Sequence, residues 1–231
     1  YNPECTLDYK HHEKLFNTFI DYAKWGESIG ITNAADLNEI VSDGKYNELI
    51  RLSEVQYNNE LAEIANKIYD NRKNIKIVLI AGPSSSGKTT TSKKLEIYLQ
   101  SKGLRTHQIS IDDYFYDRDK TPLLPNGELD TESLNCVDVT LFNKHLMKLF
   151  DGGRVELPEY NFILGKREYR GKNLELGDND IIIIEGLHAL NDDLTMSIER
   201  NHKFKIYISA LTQLNIDNHN RIHTSDTRKL R

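Results

Sequence analysis

Residues 75–95 read IKIVLIAGPSSSGKTTTSKKL. An aliphatic run turns abruptly into glycine, serine and lysine, and this one transition restricts the fold more than any other stretch. Apolar side chains in near succession need cover on both faces, as on a strand inside a parallel sheet. Directly behind them, Gly82-Pro83-Ser84-Ser85-Ser86-Gly87-Lys88-Thr89 satisfies G-x-x-x-x-G-K-[ST] and leads into a helical pattern over 87–102. Glycine lets the backbone wrap closely, so that successive N–H groups point at one anion. The helix that follows presents its free amides and positive dipole end to the same place. A serine-rich turn with a solvated lysine is the plain alternative, and the strand–loop–helix context argues against it. The spacing predicts Mg·ATP bound over 82–90, with Gly82, Ser84, Ser85, Ser86, Gly87, Lys88, Thr89 and Thr90 around the phosphates. Lys88 would reach the β- and γ-phosphates and the Thr89 hydroxyl would hold Mg²⁺.

Strand and helix then alternate. "RTHQISI" reads as a second strand, 138–150 as a helix ended by Gly152 and Gly153, and "DIIIIEG" as a fully buried strand. "KFKIYISA" is another strand, and 154–177 reads as a small β-rich insertion. The expected fold is therefore α/β: a three-layer sandwich of the P-loop NTPase kind with a mainly parallel sheet. Before residue 73 the periodicity is helical. Leu15, Phe16, Phe19, Ile20 and Ala23 recur on one face, as do Leu49, Leu52, Leu61, Ile64, Ala65 and Ile68. Between these runs Gly30 and a cap at Asn33 suggest a turn and a short helix, and Trp25 is expected as a core anchor. The chain is thus expected to divide into a helical extension, 1–73, and a P-loop domain, 74–231.

Composition excludes several classes. A net charge of −5 over 231 residues argues against a dedicated nucleic-acid binder. No apolar run approaches bilayer length, and two cysteines, Cys5 and Cys136, suit a reducing cytoplasm better than a disulfide framework. A homo-oligomer stays open. The chain starts without Met and stops in a basic run, and we read it as a piece of a longer protein.

Two carboxylate sites stand at strand ends, where open α/β sheets bind ligands. "SIDDYFYDRD" places Asp112 and Asp113 after the second strand. One of them can accept a proton from an acceptor hydroxyl, or either can simply cap a turn. Glu185 closes the isoleucine strand and is placed for the Mg²⁺ shell or for orienting water; the alternative is a rim carboxylate facing solvent.

"GPSSSGKTT", "SIDDYFYD", "PEYNF" and "IIIIEGLHAL", in this order, resemble the uridine kinase and phosphoribulokinase family over roughly residues 74–231. The resemblance implies transfer of the γ-phosphoryl of ATP to a hydroxyl of a small molecule, a nucleoside of the uridine or cytidine type. Another hydroxyl acceptor, such as a pantothenate-like or sugar phosphate compound, and a nucleotide-binding regulatory module with little turnover are the alternatives. It makes Asp112 and Lys88 catalytic, Thr89 and Glu185 metal-holding, and Phe115, Tyr160, Phe162 and Arg167 substrate-facing. The family's D-x-F-Y appears here as Asp112-Asp113-Tyr114-Phe115, with Tyr and Phe exchanged. Where uridine kinases carry a base-contacting His, Gly165 stands. "TSDTRKLR" at 224–231 resembles the run before an arginine-rich lid, which would bring Arg228 and Arg231 near ATP. The N-terminal helices resemble the connector that joins a threonyl-tRNA-synthetase-like region to such a kinase in longer bacterial proteins.

Three further features are read from the residues alone. His219 and His223, four apart, read as a solvated helical face because no third ligand accompanies them. Lys166, Arg167, Arg170 and Lys172 form a basic cluster that is either ordinary surface or an attractor for an anionic substrate. Cys136 reads as a small buried residue.

Overall fold

A computed structural model of the protein describes residues 13–209, 214–217, 220 and 222. Cys5, His219, His223, Arg228 and Arg231 lie outside the described residues. The described chain packs as two compact units, one from 13–54 with the few residues beyond 209, the other Val55–Ser209.

The first unit holds helices α1 (Glu13–Ser28), α2 (Ala34–Ser42) and the start of α3 (Tyr46–Asp70). Asn33 caps α2 in a reciprocal box: its side chain accepts from the amides of Ala35 and Asp36, and the Asp36 carboxylate accepts from the Asn33 amide at 3.1 Å. Gly30, at φ 74°, makes the preceding turn. Trp25 is not the buried anchor expected. No residue of α1 or α2 is buried, Leu15 and Phe16 are 42% and 50% exposed, and Trp25 lines a cavity of ≈ 330 Å³ with Ile29, Ile31 and Leu49. Among the described residues, these three short helical segments do not enclose the indole. The line between units falls inside α3, not near residue 73. The buried residues of α3 are Leu61, Ala65 and Ile68, all beyond Val55, and Tyr57 Oη lies 2.6 Å from Thr91 Oγ1.

The second unit carries β1 (Ile77–Ala81), α4 (Lys88–Ser101), β2 (Arg105–Ser110), α5 (Val139–Phe150), β3 (Val155–Asn161), β4 (Lys166–Leu174), β5 (Asp180–Glu185) and β6 (Lys203–Tyr207). Four of these strands form a wholly parallel sheet in the order β2-β5-β1-β6, while β3 and β4 make a separate antiparallel hairpin. Strand periodicity sends alternate side chains to opposite faces. Ile77, Leu79, Ile182 and Ile184 pack with Phe142, Leu146 and Leu149 of α5; Val78, Ile80, Ile181 and Ile183 pack with Leu95 and Leu99 of α4 and with Ala65 and Ile68 of α3. The result is helix, sheet, helix: three layers. Each isoleucine of β5 is at most 1% exposed, and such burial stabilises by about 1.5–3 kcal/mol per side chain.

At the amino end of the sheet, register is locked by charge. Arg105 of β2 faces Asp180 of β5 and grips its carboxylate through Nε and Nη2 at 2.7–3.0 Å, while His107 Nε2 lies 2.7 Å from the same carboxylate. Burial pushes the Asp180 carboxyl up, but the bonds from Arg105 and His107 outweigh it and leave it below the usual range. No helix among the described residues is long and apolar enough to cross a membrane.

Candidate active site

The carboxyl ends of β1, β5 and β2 line up, because Ile80 pairs with Glu185 and Glu185 with Ser110. Whatever follows these three strands is therefore delivered to one edge. After β1 comes the loop. Gly82 is obligatory: a Cβ there would sit 2.1 Å from the carbonyl oxygen of Ile208 and 2.6 Å from Ser86 Oγ. Ser85 and Gly87 take positive φ, 59° and 93°, which curls the backbone around before α4 begins at Lys88. Gly87 offers α4 no side-chain cap, so the first helical amides keep their donors for something else.

Around this loop, Lys88 Nζ donates to the Pro83 carbonyl at 3.3 Å, and Thr89 Oγ1 donates to Glu185 at 3.1 and 3.3 Å. Ser84, Ser85 and Thr90 are exposed, whereas Ser86 is 5% exposed and its hydroxyl has no hydrogen-bond partner. A buried hydroxyl left unpaired costs stability unless a ligand completes it.

Past Ser110 the chain makes a 3₁₀ turn over Ile111–Tyr114, its start capped by Ser110 Oγ, which accepts the Asp112 amide at 3.3 Å. The turn separates the two aspartates. Asp112 faces the loop: burial pushes its carboxyl up, the Glu185 charge pushes the same way, and Lys88 and His188 draw it back. Asp113 turns to the hairpin and accepts the Tyr160 amide at 3.1 Å. Burial raises its carboxyl too, against that hydrogen bond.

The hairpin brings aromatic residues alongside. Phe115 and Tyr160 meet edge-on with centroids 5.7 Å apart, and Tyr160 and Phe162 at 5.0 Å. Arg167 stands opposite Tyr160 in the register, but its guanidinium is already committed. Nε and Nη2 donate to the Phe115 carbonyl at 3.3 and 3.2 Å, and Nη1 to Asp138 at 3.1 Å, while the other Asp138 oxygen caps α5 at the Leu141 amide. The side chain is 13% exposed and works as a strut between the hairpin, Phe115 and α5. Lys166, Arg170 and Lys172 remain toward solvent, and Arg170 pairs with Glu159 and Glu168. Cys136 is buried, with its thiol pushed up to about 11 by that burial.

Two neighbours of the site escaped the sequence reading. His188, three residues past Glu185, is bonded through Nε2 to the Glu132 carbonyl at 2.7 Å and bears electrostatically on Asp112. Its place just beyond a strand-end acid was the signal for it. Arg118 lies across the hairpin tip: its amide donates to Gly165 O at 2.8 Å and its Nη2 to Phe162 O at 3.1 Å. Gly165 has φ 63°, and a Cβ there would meet Arg118 Nε at 2.8 Å. Nothing local in sequence announces that contact.

The model of the phosphoribulokinase / uridine kinase family matches residues 77–224. A uridine kinase of Mycoplasma genitalium is 32% identical over 134 residues, covering 58% of this chain and 60% of that protein. An Arabidopsis thaliana protein named inorganic pyrophosphatase TTM2 is 35% identical over 126 residues, covering 53% of this chain and 17% of its own length. The chain therefore spans less than two thirds of either relative. A solved structure described as a possible uridine kinase from Bacillus stearothermophilus superposes with a TM-score of 0.53 at 22% identity, over 67% of this chain and 80% of the other. That likeness is one of fold: α/β with a mainly parallel sheet.

Proposed function

This chain belongs to the phosphoribulokinase and uridine kinase family, and from that premise we propose that it binds Mg·ATP and transfers the γ-phosphoryl to a hydroxyl of a small molecule, a nucleoside of the uridine or cytidine type. The observation that carries the reading is the meeting at one sheet edge of the loop over 82–89, the Thr89–Glu185 hydrogen bond and the Asp112 carboxylate. The residues fit the groups they would hold. The Ser86 hydroxyl is buried and unpartnered, the loop follows a path no Cβ at 82 could share, and a hydroxyl with a carboxylate is a hard-oxygen pair suited to Mg²⁺. When bound there, Mg²⁺ neutralises charge on the phosphates.

The chain's own groups do the rest. The loop amides, the start of α4 and Lys88 stabilise negative charge as it spreads over the transferring phosphoryl. Asp112 orients the acceptor hydroxyl and takes its proton as that oxygen bonds to phosphorus, and the bridging oxygen leaves with ADP. Burial makes Asp112 a stronger base than a surface carboxylate. Phe115, Tyr160 and Phe162 form the wall against which the acceptor rests, and Arg167 supports that wall by holding Phe115.

A different hydroxyl acceptor is favoured by one observation: at Gly165 the hairpin tip offers no side chain, and Arg118 fills the space beside it. The connector role of the N-terminal helices, behind a synthetase-like region, belongs to the same proposal; the membership of α1 and α2 in a separate compact unit supports it. A buried free thiol at Cys136 suits a reducing cytoplasm. ADP release measured with uridine, cytidine and non-nucleoside alcohols tests the reading. We expect nucleoside-stimulated release that Lys88→Ala loses almost entirely. ATP binding with no acceptor stimulation would overturn it in favour of a nucleotide-binding regulatory module.

A further inference from the structure

The turn that carries Asp112 is held from beneath by a phenol that takes no part in the proposed transfer. Tyr114 is 1% exposed, and its ring meets Phe142 of α5 edge-on with centroids 4.8 Å apart. A buried phenol destabilises unless its hydroxyl finds a partner. Tyr114 Oη lies 3.1 Å from Nδ1 of His145 on α5, with the ring centroids 5.6 Å apart.

Charge preferences decide which group donates. Burial holds the Tyr114 phenol well above its ordinary range, so it keeps its proton. Burial, then Lys144, Arg167 and Lys148, push the His145 imidazole down, opposed by Asp138. His145 is therefore neutral at pH 7, Tyr114 donates, Nδ1 accepts, and the imidazole proton sits on Nε2. The Tyr114 carbonyl in turn accepts the Asp138 amide at 2.9 Å. Residue 114 is thus tied to α5 twice, through its backbone at the helix cap and through its hydroxyl at the helix body. Asp112 and Asp113 immediately precede it.

We propose that His145 is a positioning residue for the catalytic turn: by accepting the Tyr114 hydroxyl it holds residues 111–114 so that Asp112 faces Lys88 and Glu185 while Asp113 keeps the Tyr160 amide. The kinetic consequence rests on the kinase reading; the structural one does not. A proton on Nδ1 turns the acceptor into a donor and strands the phenol hydrogen in the core, so the turn loosens as pH falls through the lowered His145 midpoint.

Four variants test this: Tyr114→Phe, His145→Leu, the two combined, and His145→Asn, whose amide oxygen can replace Nδ1 as acceptor. In hydrogen exchange, the Tyr160 amide should exchange roughly tenfold faster in either of the first two, about 1.4 kcal/mol or one net hydrogen bond, with the β5 amides unchanged. The combined variant should be no worse than either single one, and His145→Asn should restore protection and remove its loss at acid pH. In turnover, the same two changes should lower acceptor-dependent kcat about five- to tenfold and leave KM for Mg·ATP within about twofold. Unchanged Tyr160 exchange in both single variants overturns the proposal, as do effects that multiply in the combined one. If the parent shows no acceptor-dependent turnover, the kinase reading fails, and the exchange data decide the inference alone.

Discussion

Replacing Gly82 with alanine adds one methyl group at the most crowded backbone position of the loop. The new Cβ would stand 2.1 Å from Ile208 O, 3.1 Å from Ile208 C and 2.6 Å from Ser86 Oγ. The serine hydroxyl can rotate away, but a backbone carbonyl has to retreat by more than an ångström to reach ordinary contact. The same residue, Ile208, donates its amide to Ala81 O at 2.8 Å, and a retreat of that size breaks the bond. A lost backbone hydrogen bond costs about 1 kcal/mol and forced overpacking about 1–3 kcal/mol, so Gly82→Ala should destabilise by about 2–4 kcal/mol. For a unit of this size each kcal/mol lowers Tm by about 2–4 °C. Gly103, at φ 84° with nothing within 4 Å of its would-be Cβ, is the control, since alanine there costs only the left-handed strain of about 1–2 kcal/mol. Urea unfolding of the parent and both variants makes the comparison. A Gly82→Ala variant within about 0.5 kcal/mol of the parent, or less damaged than Gly103→Ala, would refute the reasoning.

Asp112→Asn should lower acceptor-dependent turnover by roughly 10² or more with ATP affinity nearly intact, whereas Asp113→Asn, which keeps an oxygen for the Tyr160 amide, should do much less; the reverse ranking means the wrong aspartate is the base. Because the Asp112 carboxyl is raised in the fold, its proton stabilises the native state at acid pH and that benefit is lost as pH rises through the folded value, so Asp112→Asn should raise Tm at pH 7. Gly165→His should lower stability by roughly 1–2 kcal/mol and bring no gain in uridine-dependent turnover, because φ 63° disfavours a side chain and Arg118 occupies its place; thermal unfolding with a uridine titration reads both. Asp180 behaves oppositely to Asp112: its lowered carboxyl stabilises the fold above the unfolded value of about 3.9 and loses this as pH falls through the lower folded value. The stability gap between parent and Asp180→Asn, followed from pH 7 to pH 2, should therefore close at the acid end.

Much of the architecture could be read from residues. Ile77–Ala81 and Ile181–Ile184 are aliphatic without interruption because both faces are covered, and a strand buried on two sides has no other way to be written. A cap at Asn33 marked one helix start, and Gly152 marked a helix end. The gathering of the loop, Asp112 and Glu185 followed from their places at strand ends. Strand order did not, because one isoleucine run carries no address that distinguishes its neighbours. The boundary inside α3 was hidden for a related reason: helical periodicity continues through Tyr46–Asp70 while the packing partner changes at Val55. Arg167 looked like one cation in an exposed cluster, and its commitment depends on Asp138 and the Phe115 carbonyl, 29 and 52 residues away. Tyr114 and His145, 31 residues apart, were equally invisible as a pair.

The strand order β2-β5-β1-β6 also sets a schedule for the chain as it is made. Among the described residues β1 pairs with β5 and β6 and β2 with β5, so neither of the first two parallel strands meets one of these partners until β5 exists. At about 5–20 residues per second, the stretch from Ala81 to Asp180 takes on the order of 5–20 s to translate. Throughout that interval the ribosome presents an unpaired Ile77–Ala81 run, the kind of apolar segment that chaperones recognise and aggregates recruit. The nucleotide loop is thus written early and assembled late: a chain arrested before Asp180 holds every residue of 82–89 with β1 and β2, but lacks β5, the strand that brings those two to a common edge.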